Sequence, residues 1–225
     1  MPSLTTAIVA AATVLCPGLA TQDATKLART YQADEAGVIL IKVNADAKYG
    51  QKIEASANVQ MKVAKLLENG IARLSCSLGN LKVAIEGSDM PFEAPAFEAD
   101  CDAQGLPDHL VTNQVEWMYT LTFLAGIVPN KEMKVGESSE FEWNGKDKAN
   151  RIKGKIKLVE LVELDGVKAA KVESDMTVYP QDQNNPGHVT STSWIALSNG
   201  RLIKSEGKLA VEGDVQATFT TTRVK

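Results

Sequence analysis

Apolar and polar positions alternate along most of this chain, most cleanly over residues 53–63. There Ile53, Ala55, Ala57, Val59, Met61 and Val63 fall on one side, and Glu54, Ser56, Asn58, Gln60 and Lys62 on the other. A period of two marks a strand with one face in a core. Residues 38–45 (VILIKVNA) form a β-branched run suited to the middle of a sheet. Residues 151–180 hold two alternating runs joined at Asp165-Gly166, a dipeptide that accepts the positive φ of a tight hairpin turn. Asn69-Gly70 and Asn199-Gly200 sit between similar runs and predict two more hairpins.

The remaining elements follow from the same pattern. The strand over 53–63 continues through Lys65 and Leu66 toward Asn69-Gly70, where the alternation slips and predicts a bulge. The return strand carries Ala72, Leu74, Cys76 and Leu78, and a third strand with Leu81, Val83 and Ile85 is expected after a turn at Gly79-Asn80. Residues 87–108, punctuated by Pro91, Pro95 and Pro107, read as an irregular connection with at most one edge strand. Residues 110–124 show helical spacing at Val111, Val115, Met118 and Thr122, ended by Gly126 and Pro129. Further strands are expected at 139–143, 188–197, 201–211 and 215–224, while 21–33 read as a short helix or an unpaired arm.

The predicted class is therefore mainly β, a β-rich α+β arrangement of antiparallel hairpin and meander sheets, with about ten strands and one or two short helices. The chain divides into a leader at 1–20, a first β-rich half with an acidic connection at 21–108, and a short helix plus second β-rich half at 109–225. Around the two main turns, KVAKLLENGIARL resembles KLVELVELDGVKAAKV. That similarity is what duplicated halves show, and also what any two β-hairpins of like composition show.

Composition narrows the partners. The 225 residues are 44% hydrophobic with a formal net charge of -4 and only 5% aromatic, so neither a basic surface nor stacking platforms favour nucleic acid. Residues 1–22 hold no charged side chain and end their apolar stretch in Cys16-Pro17-Gly18-Leu19-Ala20. This reads as a secretory signal cleaved before Thr21, although a positive n-region is missing. The apolar run is shorter than the roughly 20 residues a bilayer span needs, so the mature chain is expected to lack a transmembrane segment. Export, to a periplasmic or extracellular location, leaves Cys76 and Cys101 as an even pair in an oxidising compartment. Their disulfide would close a loop of about 25 residues, worth roughly 3 kcal/mol; the alternative is two buried thiols. Lipidation of Cys16 fits poorly because Leu15 precedes it.

The inventory for catalysis is thin. His109 and His188 are isolated, and the chain has no Gly-x-Ser-x-Gly, HExxH, CxxC or phosphate-loop motif. Glu98, Asp100 and Asp102 alternate like the start of a calcium loop, but Ala103 and His109 stand where an EF-hand needs Gly and Glu. No catalytic residue, metal site or cofactor is therefore assigned. Lys153, Lys155 and Lys157, following Arg151, line one face of a strand as an anion-contact candidate for lipid headgroups or wall polymer. The same pattern also describes a solvated face or a charged edge strand. Trp117, Trp143 and Trp194 have apolar neighbours and read as core.

The second half is similar to uncharacterised bacterial secreted β-rich families, in which a short helix ends in Pro, a V-x-V-G-[ED]-[ST]-like step follows, and long hairpins turn at Asp-Gly. The matching residues are Pro129, Lys131, Val135, Gly136, Glu137, Ser138, Asp165 and Gly166, with Met133 in place of the first Val. The resemblance implies a fold and no catalytic residue. The expectation is a non-enzymatic exported protein, a binding or envelope-associated module whose curved sheet and helix hold a hydrophobic or lipid ligand, with an envelope component as the other partner. The alternatives are a structural domain of a surface assembly, and a hydrolase using carboxylates such as Glu160 and Glu163 or Asp100 and Asp102.

Overall fold

The computed structural model describes residues 23–111, 114–146, 150–179, 185–211 and 215–224. The expected leader with Cys16, and Pro180 at the end of the predicted hairpin, lie outside them. In chain order the strands are β1 (Thr25–Leu27), β2 (Ala36–Ala47), β3 (Lys52–Leu66), β4 (Ala72–Ile85), β5 (Ser88–Met90) and β6 (Phe97–Cys101). The helix α1 (Trp117–Ala125) follows, then β7 (Lys131–Met133), β8 (Ser138–Asn144), β9 (Arg151–Leu164), β10 (Val167–Tyr179), β11 (Gly187–Ala196), β12 (Leu202–Val211) and β13 (Val215–Val224). The fold is mainly β, as the alternation predicts.

Strands β1 and β7 make a two-stranded ribbon, and the other eleven form one antiparallel sheet in the order β5-β4-β3-β2-β13-β12-β11-β10-β9-β8, with β6 also on β4. The last strand pairs with β2, so the two halves of the chain share one ladder. This sheet is bent. Helix α1 touches β2 and β3 as well as β11 and β12, although β3 and β11 are four strand spacings apart, about 19 Å on a flat sheet. One helix about 10 Å wide reaches both only where the sheet curls around it. Every residue of α1 from Met118 to Ala125 is buried, which is why its sequence is apolar all round rather than on one stripe. Its two threonines spend their hydroxyls locally, Thr120 Oγ1 donating to the Val111 carbonyl at 2.7 Å and Thr122 Oγ1 to that of Met118 at 2.8 Å.

The hairpin at Asp165-Gly166 has the expected left-handed pair, φ 49° and 79°. The predicted bulge in β3 falls between Val63 and Lys65. Other expectations are corrected. Gly79-Asn80 is no turn: β4 runs straight through it, and the register opposite β3 slips between Ser56 and Asn58 with Asn80 at φ 51°. A glycine followed by a left-handed asparagine suits a bulge as well as a corner. The proline-rich connection carries two short strands rather than at most one, because β5 and β6 pair with opposite ends of the long β4. Residues 25–27 of the supposed arm form β1, with Leu27 buried.

The disulfide is also corrected. Both Cys76 and Cys101 are free and buried. The register sets Cys76 opposite Phe97 and Cys101 opposite Ala72, four residues apart along the ladder, roughly 13 Å at about 3.3 Å per residue. A disulfide needs its Cα atoms within about 7 Å. Burial instead raises the Cys76 thiol to about 12, and Cys101 is likewise pushed well up, first by burial.

Candidate functional site

The inner face of the sheet is built in cross-strand rows, and two rows near one end have small residues among their members. One runs Ile85, Ile53, Ala45, Ala217, Leu209, Val189 and Met176; the next, nearer the end, runs Ala47, Val215, Val211, Gly187 and Val178. With Ala or Gly at 45, 217 and 187 in these rows, and Ala55 in the row further in, the sheet meets α1 elsewhere but leaves space here. A cavity of about 710 Å³ lies between them, walled on the helix side by Trp117, Met118, Thr120, Leu121 and Leu124 and at the margin by Phe92. One row further in, the space is closed differently: Gly207 has no side chain because the Phe219 ring lies against it, with the Thr190 carbonyl 2.6 Å from where a Cβ would stand.

Among the described residues, no charged side chain lines this cavity. Its few polar groups are Thr120, whose hydroxyl is already used, Asn185 and the Trp117 indole. The arrangement can desolvate hydrocarbon, and its described lining offers no counter-ion to a carboxylate or phosphate brought inside. Its size is in the range of small-molecule pockets, roughly 300–1,000 Å³. Trp117, expected in the core, is part of this wall; Trp143 is core, and Trp194 faces outward between Lys171 and Lys204, whose ammonium groups lie 5.9 and 4.2 Å from its ring.

Lys153, Lys155 and Lys157 project from the outer face, away from the cavity, with Ile152, Ile156 and Leu158 buried between them. Carboxylates stand opposite them on both neighbours: Glu142 beside Lys153, Glu140 and Asp175 beside Lys155, and Glu173 beside Lys157. The Lys153 to Glu142 pair closes to 3.3 Å. The acidic connection of the first half is not what faces them across the sheet. Lys155 and Lys157 border an open groove of about 1,000 Å³ in which Lys208, Glu173, Asp175 and Glu206 balance the charge.

The carboxylates weighed for chemistry are engaged in the fold. Arg73 donates to both oxygens of Asp100 at 2.7 and 3.0 Å, and holds that carboxyl below its ordinary value chiefly through these bonds. One Asp102 oxygen accepts the amides of Gln104 and Leu106, although burial raises its affinity for a proton. Glu160 pairs with Lys171 at 3.2 Å, and Glu163 faces Lys168 across the hairpin. His109 bonds Asp108 at 2.9 Å, and His188 approaches Asp175 at 3.5 Å on the outer face. Among the described residues, no cluster of three His, Cys, Asp or Glu side chains is arranged to hold a metal.

At the opposite end of the molecule Arg29 and Arg201 share one oxygen of Glu35, at 3.2 and 2.9 Å, all three nearly buried. This knot bridges Gln32 and Ala36 of the first arm to the Asn199-Gly200 turn. It adjoins a hollow of about 60 Å³, too small for an organic ligand.

Comparison with known proteins adds little to this geometry. No protein family matches the chain, and no curated protein matches it either. Among solved structures it is similar to three bacterial proteins. A candidate exported protein with YmcC-like fold from Bacteroides fragilis is 12% identical with a TM-score of 0.34, over 89% of this chain and 100% of that one. The hypothetical lipoprotein YmcC from Escherichia coli is 12% identical with a TM-score of 0.30, over 87% and 90%. A candidate lipoprotein from Parabacteroides distasonis is 10% identical with a TM-score of 0.32, over 90% and 98%. Likenesses this distant say nothing about what the chain does.

Proposed function

We propose that this chain is an exported, non-enzymatic binding protein that carries a hydrophobic ligand in the cavity between α1 and the bent sheet. The observation that carries the reading is the cavity itself: about 710 Å³ of space whose described lining is mostly apolar and carries no charged side chain. The space is partly open to solvent, and apolar wall left facing water there costs free energy in proportion to its area. Filling by hydrocarbon removes that cost. The uncharged stretch at residues 1–22, read as a leader at 1–20 followed by a cut before Thr21, accords with an exported chain.

The direct test is organic extraction of protein purified from its native source, followed by mass spectrometry of the extract. A stoichiometric lipid or other apolar molecule is expected. Protein that yields none, and that does not bind a fluorescent apolar probe such as N-phenylnaphthylamine, is not a carrier.

A further inference from the structure

The knot of Arg29, Arg201 and Glu35 leaves positive charge unbalanced. Both oxygens of the one carboxylate are engaged: Oε1 of Glu35 accepts from Arg29 Nη2 at 3.2 Å and lies 2.9 Å from Arg201 Nε, and Oε2 accepts the Gln32 amide at 3.1 Å. Arg201 Nη2 donates to the Ala36 carbonyl at 3.1 Å. Arg29 Nη1, by contrast, is buried and has no hydrogen-bond partner among the described residues. A guanidinium nitrogen withdrawn from water without an acceptor is costly.

A third arginine faces the same space. Arg223 stands on the side of β13 that buries Phe219 and Thr221, directly opposite Ile39 of β2. The alternation of the strand thus puts a cation where its neighbours two and four residues back are core. Arg29, Arg201, Arg223 and Glu35 all line the hollow of about 60 Å³, three cations against one carboxylate among its described lining residues. The imbalance is felt at Arg201, whose hold on its proton is lowered first by burial and then, against the pull of Glu35, by Arg223 and Arg29.

Two glycines fit the arginines to the backbone. A Cβ at Gly37 would collide with the Arg201 guanidinium, and one at Gly200, whose φ is 67°, would meet the Ala28 carbonyl and the backbone of Arg29. Much of the remaining wall is apolar, with Ile39, Met61, Val63 and Leu202, so the charges are screened less than in water. Size sets the class of ligand. One water takes up roughly 30 Å³ of the liquid, so a hollow of about 60 Å³ admits a monatomic ion or a small oxyanion.

We propose that this hollow binds one small inorganic anion, no larger than phosphate, on the guanidinium groups of Arg29, Arg201 and Arg223. The anion supplies the acceptor that Arg29 Nη1 lacks and offsets the charge that Glu35 does not. Arg29 precedes β2, Arg201 precedes β12 and Arg223 is near the end of β13, so a single ion joins three separate parts of the chain. The site is independent of the apolar cavity, and the proposal does not rest on the carrier reading.

The test is isothermal titration calorimetry of the purified, desalted chain with sodium chloride, sodium sulfate and sodium phosphate, repeated on Arg223→Gln and Glu35→Gln. Saturable binding of at least one of these ions, one per chain, is expected for wild type. Arg223 is exposed, so Arg223→Gln should melt as wild type does in the absence of the ion, and should bind it about tenfold more weakly. Glu35→Gln leaves three cations and no acid around the hollow, so it should bind the ion more tightly than wild type, and the ion should raise its Tm by more. A purely structural ion pair predicts instead a loss of stability that no anion repairs. The proposal is overturned if none of the three ions binds saturably, if Arg223→Gln binds as tightly as wild type, or if Glu35→Gln binds no more tightly; the hollow then holds water alone. Should Glu35→Gln fail to fold, the comparison of wild type with Arg223→Gln decides.

Discussion

Replacing Ala217 with leucine puts the cavity to a quantitative test. Ala217 lies on the inner face of β13 between Ala45 and Leu209, is 6% exposed, and contributes to the cavity wall. In a close-packed core, three additional carbons at such a site would force neighbours apart at a cost of about 1–3 kcal/mol. Here they enter open space. Transferring three methylene-sized groups from water is worth up to about 2.4 kcal/mol, at roughly 0.8 kcal/mol each. Rotamer freedom lost by the new leucine removes about 0.5–1 kcal/mol. The expected outcome is a gain of about 1–2 kcal/mol, or a rise in Tm of about 2–8 °C for a chain of this size. Urea titration followed by tryptophan fluorescence, with calorimetry alongside, reads the change on protein stripped of bound lipid. Apolar-probe affinity should fall in the same variant. A loss of 1 kcal/mol or more would refute the reasoning, because it would mean that the space beside Ala217 is already filled.

The remaining predictions rest on other parts of the fold. Gly207→Ala, one row further in, should cost about 1–3 kcal/mol, because its Cβ would meet the Phe219 ring and the Thr190 carbonyl; an unchanged urea midpoint would contradict that packing. Cys76 and Cys101 should stay unmodified by iodoacetamide at pH 8 in the native protein and react fully after denaturation, read by peptide mass mapping, since burial raises both thiols; a Cys76 to Cys101 disulfide peptide would overturn the β4 to β6 register. The Asp100 carboxyl is held below its unfolded value by Arg73, so the stability it lends is complete above the unfolded carboxylate range near pH 4 and is lost as pH falls through the lower folded value. The Tm gap between wild type and Asp100→Asn should therefore be present at pH 6 and shrink in stronger acid; a gap that widens there refutes the assignment. Changing Lys153, Lys155 and Lys157 to Gln together should alter stability by no more than about 1 kcal/mol per ion pair, because each sits on an exposed face. Unchanged binding to anionic vesicles in that variant marks the ladder as a solvated face.

What the sequence by itself determined is local. A period of two identifies strands wherever one face is buried, because neighbouring side chains must point opposite ways; hence β3, β9, β10, β12 and β13 were legible nearly to the residue. Asp165-Gly166 and Asn69-Gly70 were legible because few residues adopt a left-handed corner. Tyr49-Gly50 and Glu86-Gly87 turn in the same way but carry no such signal, since their first residues adopt the corner only when the strands on both sides impose it. Gly79-Asn80 shows the converse, a turn-like pair absorbed as a bulge by a strand whose partner continues past it.

Tertiary structure decided everything that depends on which residues meet across the sheet. Cys76 and Cys101 look like a pair in sequence, and a ladder offset of four residues keeps them apart. The lysines of β9 look like a cation strip, and the register places a carboxylate beside each. The cavity had no local signature at all: Ala45, Ala55, Gly187 and Ala217 are ordinary small residues in four separate strands. They make a void only because the curl of one large sheet brings them into neighbouring rows beneath a helix that cannot fill the space.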